Sequence, residues 1–270
     1  MRIALNNGLS SIIRIMPAID AFASTKPHDF VIKTPYAELF AGKPYDVTSE
    51  DIDVDVALPS YKHFIDAYEN PCRQAYIDLR HLAGADDQYY PAPADLPKLN
   101  VLWDRDKLMC HDGKFVRNTI VCSCQKYYGS QYSVSKIRNV LFPLAKRMSV
   151  VNVVGGPEAP MIPMALEVSN KVVRKMGSDS NPGSYSYHDL LDLGRVVRAF
   201  TVGGVIVTNT QWGYDLAVAL RIKAALLQDD AVEWKNPYDE RKVPPYRIFK
   251  ASLGDDETRA GILELLNAAD

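Results

Sequence analysis

Two patterns alternate along the chain: short runs of aliphatic and β-branched residues, and longer stretches with apolar residues at helical spacing. The opening MRIAL is a short apolar run followed by a polar turn, Asn6, Asn7 and Gly8, with Ser10 and Ser11 close behind. Beyond it, Ile12, Ile15, Met16, Ile19 and Ala23 repeat at i, i+3, i+4, the signature of one helix face. Pro17 lies within that stretch and is expected to kink the helix or to mark its start nearby. FVIKT reads as a second strand, AELFAG as a short helix ending at Gly42, and VDVALP as a third strand. Residues 61–84 carry a helical pattern interrupted at Pro71, and 86–97 are rich in Pro, Tyr and Asp and read as loop. LNVLWDRDKL is a further candidate strand.

The alternation resumes at TIVCSC, a strand over 119–123, followed by a helix over 134–148 and a strand over 150–154. A turn (Gly155, Gly156, Pro157, Glu158) leads to expected helices over 163–175 and 187–200, the latter opened by a Ser186-x-x-Asp189 capping box. Val205, Ile206 and Val207 form the most β-branched run, which breaks into Thr208, Asn209, Thr210 and Gln211. An Ala/Leu-rich helical pattern is then expected over 215–227, with Asp215 as its N-cap. Residues 255–268 form a compact amphipathic helix. Repeated strand–helix alternation predicts an α/β protein of two Rossmann-like domains facing across a cleft. The expected division is 1–112, 113–253 and a final helix, 254–270, that is a candidate for packing back on the first domain.

Length and composition fit that division: 270 residues, 47% hydrophobic, suit two small α/β domains. A formal charge of −2 gives no global pull toward nucleic acid. The basic clusters Lys136, Arg138, Lys146, Arg147 and Lys171, Arg174, Lys175 read as solvated helix faces. Cys72, Cys110, Cys122 and Cys124 have neither C-x-x-C nor disulfide-framework spacing, and Cys122 and Cys124 share one strand face as small core residues. No apolar stretch is long enough to span a membrane, and the first residues lack a signal-peptide layout, so a soluble cytoplasmic protein is expected. The five histidines, His28, His63, His81, His111 and His188, form no catalytic or metal-ligand pattern.

In open α/β sheets a ligand binds at the carboxyl ends of strands, where the next helix offers its N-terminal N–H groups to an anion. The loop Thr208, Asn209, Thr210, Gln211, Trp212, Gly213, Tyr214 has that setting and suits a phosphate. This stretch resembles the carboxyl-terminal signature of the bacterial heptosyltransferases, the family 9 glycosyltransferases, which reads approximately D-T-G-x-x-H-L-A-A-A-L. Asn209 and Thr210 stand where that Asp-Thr pair would be, and Leu216-Ala217-Val218-Ala219-Leu220 matches the helix. Gly213 and Asp215 occupy the region of the family's Gly and His, with one extra residue in the loop. The amino-terminal half resembles the family too. Pro17-Ala18-Ile19-Asp20-Ala21-Phe22 matches its P-A-L-x-A-L, and Leu39-Phe40-Ala41-Gly42-Lys43-Pro44 matches a later turn.

The resemblance implies a metal-independent glycosyltransferase of the B architecture, shorter than usual members, moving a sugar from a nucleotide-diphosphate sugar of UDP or ADP type. It implies that Lys126, with Ser123 and Gln125 beside it, contacts the diphosphate together with the 209–215 loop, and that Glu158 after Gly155-Gly156 bonds the ribose hydroxyls. A carboxylate suits a diol because it accepts two donors side by side. The first loop (Asn6, Asn7, Gly8, Ser10, Arg14) is assigned to the acceptor side. Ser11 stands where the family carries its proposed catalytic Asp, and a hydroxyl is a poor base at neutral pH. Asp20 and Asp215 are the alternative carboxylates.

Three other readings remain at this point. Asp104-Arg105-Asp106 is a D-x-D pattern, the divalent-cation site of metal-dependent glycosyltransferases. The acceptor is a saccharide of lipopolysaccharide type or a hydroxymethylated DNA base of phage type, the latter calling for aromatics such as Tyr127, Tyr128 or Trp212 to stack on an extruded base. A catalytically silent nucleotide-binding scaffold is the third.

Overall fold

A computed structural model describes residues 1–5, 8–25, 30–59, 71–84, 92–100, 110–111, 114–115, 119–125, 130–154, 160–169, 199–201 and 203–268. Its contacts divide the chain into two compact units: 1–102 with 236–243, and 103–235 with 244–270.

In the first unit β1 (Arg2–Leu5), β2 (Val31–Lys33), β3 (Asp46–Thr48) and β4 (Val56–Leu58) form a wholly parallel sheet in the order β3-β2-β1-β4. Helix α1 (Leu9–Ala23) follows β1, and a 3₁₀ turn (Ala37–Phe40) follows β2. Aliphatic residues surround α1 almost completely, so the helix is buried on nearly every side, and Pro17 sits in its interior rather than at its start. The local loss of one backbone hydrogen bond at Pro17 is offset by packing of Ile12, Ile13, Ile15, Met16 and Ile19, all at most 1% exposed. Helix α2 (Pro71–Leu82) packs on α1 and buries Ala75, Tyr76 and Leu79. Pro71, expected to interrupt a helical pattern over 61–84, is the first described residue of α2, and 60–70 lie outside the described residues.

The second unit opens with a two-residue hairpin, β5 (Cys110–His111) and β6 (Lys114–Phe115). Its main sheet comprises β7 (Thr119–Ser123), β8 (Val150–Val154), β9 (Leu166–Ser169), β10 (Gly203–Thr208), β11 (Lys223–Gln228) and β12 (Tyr246–Lys250). All six run parallel, in the order β12-β11-β10-β7-β8-β9. Helix α3 (Val134–Ala145) links β7 to β8, α4 (Gln211–Leu220) links β10 to β11, and α5 (Asp255–Asn267) follows β12. On one face of the sheet Ile120, Cys122, Val205, Val207, Ala225 and Leu227 pack against Ile137, Val140, Leu141 and Leu144 of α3 and Ile262 and Leu265 of α5. Cys122 and Cys124 belong to this core, and burial pushes the Cys124 thiol pKa upward.

Two helices differ from expectation. The helix expected over 215–227 spans Gln211–Leu220 and ends at Arg221, whose left-handed backbone (φ 59°, ψ 43°) turns the chain into β11. All six residues of β11 are buried, and a strand covered on both faces has the same continuous apolar character as a buried helix segment. In the region expected as a helix over 163–175, residues 166–169 form β9, paired in register with β8 (Val151 opposite Leu166). Ile262 and Leu265 of the final helix belong to the second unit's core. The helix expected over 187–200 lies outside the described residues except at its end.

Candidate functional site

In the second unit the strands run outward from β7 through β8 to β9 in one direction, and from β10 through β11 to β12 in the other. The order therefore reverses between β7 and β10, and the carboxyl ends of those two strands are where such a sheet binds its ligand. Thr208 and Ser123, their last residues, are register partners.

A chain of hydrogen bonds crosses this point. Thr208 Oγ1 donates to the Ser123 carbonyl (2.8 Å) and accepts from Thr210 N (3.0 Å). Since its one proton is thereby used, the 2.9 Å contact between Thr208 Oγ1 and Thr210 Oγ1 has Thr210 as donor. Thr210 Oγ1 in turn accepts from Gly213 N (3.1 Å) and so caps α4. The result runs from the first turn of α4 through two hydroxyls to the end of β7, each link polarising the next. Gly213 is required by packing: a Cβ there would lie 2.3 Å from Thr208 Oγ1, 2.9 Å from Thr208 Cβ and 3.0 Å from Thr210 Oγ1.

Asn209 ties the same two strand ends a second way. Its Oδ1 accepts from Gln125 N (2.9 Å) and its Nδ2 donates to Gln125 O (2.6 Å), so one amide side chain engages both backbone groups of one residue. The buried Ser123 hydroxyl has no partner among the described residues, and a ligand or water at the switch point would satisfy it. Gln211 opens α4 and donates through Nε2 to Asp215 Oδ1 (3.3 Å).

Other candidates in this loop serve the interior. Trp212 is buried edge-on against Phe200 (centroids 5.8 Å apart), which removes it as a stacking platform for an extruded base. Tyr214 is buried against Trp234 and Tyr246 at 5.2 and 5.6 Å. Asp215 is fully buried within α4, and Thr210 rather than Asp215 is the N-cap. Lys126, Gly155, Gly156, Glu158, Asn6, Asn7, Tyr127, Tyr128 and the Asp104–Asp106 pair lie outside the described residues.

The first unit has its own reversal, between β1 and β4, with Leu5 opposite Leu58. Gly8 is the N-cap of α1 and brings no side-chain cap; Ser10 is half-buried, and Ser11 and Arg14 are buried in the first two turns. That first turn carries no acidic residue. Asp20 is nine residues beyond Ser11, about two and a half turns and on the opposite side of the helix. Its carboxylate accepts from Lys43 Nζ (2.6 Å) and Tyr45 Oη (2.8 Å). Burial, and then the neighbouring Asp20 charge, push the Tyr45 phenol pKa well up, so that hydroxyl stays a donor. Asp20 therefore anchors the outer half of α1, and the structure does not bring it to Ser11.

One participant was absent from the sequence reading. Asp229, the first residue past β11, accepts through Oδ1 from Ser130 Oγ (2.9 Å), Gln131 N (2.9 Å) and Tyr132 N (3.2 Å). Its position at a strand end was hidden because the preceding segment reads as helix.

No protein-family model matches the chain, and none of the curated proteins matches it by sequence. Solved structures do match over its whole length. An Escherichia coli ADP-heptose lipopolysaccharide heptosyltransferase II aligns with a TM-score of 0.56 at 12% identity, covering 98% of each chain. The E. coli heptosyltransferase WaaC with ADP-2-deoxy-2-fluoro heptose gives 0.55 at 11% identity, covering 98% of this chain and 99% of that one. A family 9 glycosyl transferase from Veillonella parvula gives 0.54 at 8% identity, covering 98% and 97%. The class is therefore an α/β protein of two Rossmann-like units with the fold of the B-architecture glycosyltransferases. Within that class the chain has the fold of family 9, in agreement with the motif resemblance.

Proposed function

We propose that the chain is a metal-independent glycosyltransferase that moves a sugar from a nucleotide-diphosphate sugar, of UDP or ADP type, to a hydroxyl acceptor. The observation that carries this reading is the polar apparatus at the β7/β10 switch point, where Ser123, Asn209, Thr210 and the amino end of α4 converge. As the bond from the anomeric carbon to the diphosphate oxygen breaks, negative charge grows on the leaving group. A fixed helix N-terminus stabilises that charge without reorganising, and Lys126, one residue beyond Gln125, supplies the cation. Glu158 takes the ribose hydroxyls, and the first unit's switch point, with Ser10, Ser11 and Arg14, takes the acceptor. The acceptor hydroxyl attacks the anomeric carbon as the bond to the diphosphate oxygen breaks, the nucleoside diphosphate leaves, and the hydroxyl proton passes to solvent water. Asp20 is engaged with Lys43 and Tyr45, and Asp215 is enclosed in α4.

A second reading has one observation in its favour: the first turn of α1 carries no carboxylate to receive that proton. The chain is then a nucleotide-binding relative without transfer activity. Nucleoside diphosphate release from UDP- and ADP-sugars, followed with and without saccharide acceptors and in EDTA, separates the two. Release that survives EDTA and is lost in Lys126→Ala supports transfer; diphosphate binding with no release supports the silent relative.

A further inference from the structure

Asn209 and Asp229 are each the first residue past a strand, β10 and β11, which lie side by side in the sheet. Both reach sideways to the connection between β7 and α3. Asn209 holds its beginning, through both backbone groups of Gln125. Asp229 holds its end, through Ser130, Gln131 and Tyr132. The end is held further by Asp230 N donating to Gln131 Oε1 (2.6 Å) and by Tyr132 Oη donating to the Phe249 carbonyl (3.1 Å) at the end of β12.

We infer that Asn209 and Asp229 are positioning residues for the donor site, holding Gln125 and Ser130 to Tyr132, the two described ends of the segment between β7 and α3, against the ends of β10 and β11. The inference rests on the donor-site reading above. The fold itself asks for no such clamp, because the sheet ladder and the apolar side of α3 already hold β7 and α3. What the clamp adds is precision in the backbone around Gln125, whose covalent neighbour is Lys126. A binding group needs to be held within about 0.5 Å of its productive position, and loops reach that only when a second layer of hydrogen bonds restrains them. The choice of Asn is chemically specific: its amide accepts at one atom and donates from another and so engages both backbone groups of Gln125, whereas Asn209→Asp sets a carboxylate oxygen against the Gln125 carbonyl.

The test is calorimetric titration of UDP and ADP into the full chain as wild type, Asn209→Ala, Asn209→Asp, Asp229→Ala, Lys126→Ala and the Asn209→Ala/Lys126→Ala double variant, with melting temperatures alongside. The clamp variants are expected to weaken binding of the favoured diphosphate about tenfold or more while melting close to wild type. The double variant is expected to bind no more weakly than Lys126→Ala alone, because Asn209 acts through Lys126; a merely structural residue gives additive losses. If Asn209→Ala does not fold, Asn209→Asp and Asp229→Ala carry the same comparison. Unchanged affinity in the clamp variants, or additive losses, overturns the inference while leaving the donor site standing. Failure of the wild type to bind either diphosphate overturns the donor-site reading, and this inference with it.

Discussion

Each unit has a helix start at its reversal of strand order, α1 after β1 in the first and α4 after β10 in the second, and the two starts are finished in opposite ways. In the second unit the end of α4 is crowded: Thr210 caps it, Thr208 links it to β7, and Gly213 has no space for a Cβ. In the first unit α1 begins at Gly8 with no side-chain cap, and a Cβ added there meets nothing within 4 Å among the described residues. A pre-organised end suits a ligand part shared by every donor, the diphosphate, since fixed dipoles stabilise charge at no cost of rearrangement.

The contrast is sharpest in the glycines. Gly213→Ala should destabilise the chain by about 2–3 kcal/mol, because its methyl collides with Thr208 and with the backing of the cap, and chemical denaturation measures this directly. The same substitution at Gly8, made at φ −66° in open space, should cost under about 1 kcal/mol. Equal losses at the two positions would erase the distinction. Thr210→Ala should cost about 1–2 kcal/mol, and Thr210→Ser, which keeps the hydroxyl, should recover most of it. Gly8→Ser should stabilise by a few tenths of a kcal/mol by supplying the missing cap, read as a small rise in melting temperature.

The smallest effect is electrostatic. Asp230 in the second unit accepts from the Ser252 backbone N–H, and Asp51 in the first accepts from Lys33; each interaction holds the carboxylate pKa below its ordinary 3.8. A depressed folded-state pKa means stability that is present above the ordinary value and lost as pH falls through the depressed one. Melting temperature should therefore drop only below about pH 4 on their account. Asp230→Asn should make that acid limb shallower, and Asp51→Asn less so, because an exposed lysine pair is screened by solvent.

Much of the fold is visible in the chain because the relevant forces are local. β7, β8 and β10 are β-branched runs bounded by polar turns, and the strong apolar face of α1 outweighs Pro17. The strand β11 escapes detection because Ala, Leu and Leu, buried on both faces, lack the period that separates strand from helix. Three-residue β3 is too short to carry a pattern, and β12 hides behind Arg247 and Lys250 at its surface. The loop 208–213 was legible as a polar strand end. The inward direction of the side chains that follow was not, since nothing local shows that Trp212, Tyr214 and Asp215 are buried while Asn209 reaches Gln125 just past β7. The clamp formed by Asp229 depends on which strands lie side by side, a property of the sheet and not of any one segment.

The central claim is that the β7/β10 switch point binds a nucleoside diphosphate without metal. A thermal-shift titration with UDP, ADP, GDP and CMP and their sugar conjugates, with and without magnesium, tests it most directly. Ligand at about 100 times its dissociation constant adds about 2.7 kcal/mol of stability. The account predicts a rise in melting temperature with one nucleoside diphosphate, the same with or without magnesium and lost in Lys126→Ala. No rise with any of them, or a rise that requires magnesium, would contradict it.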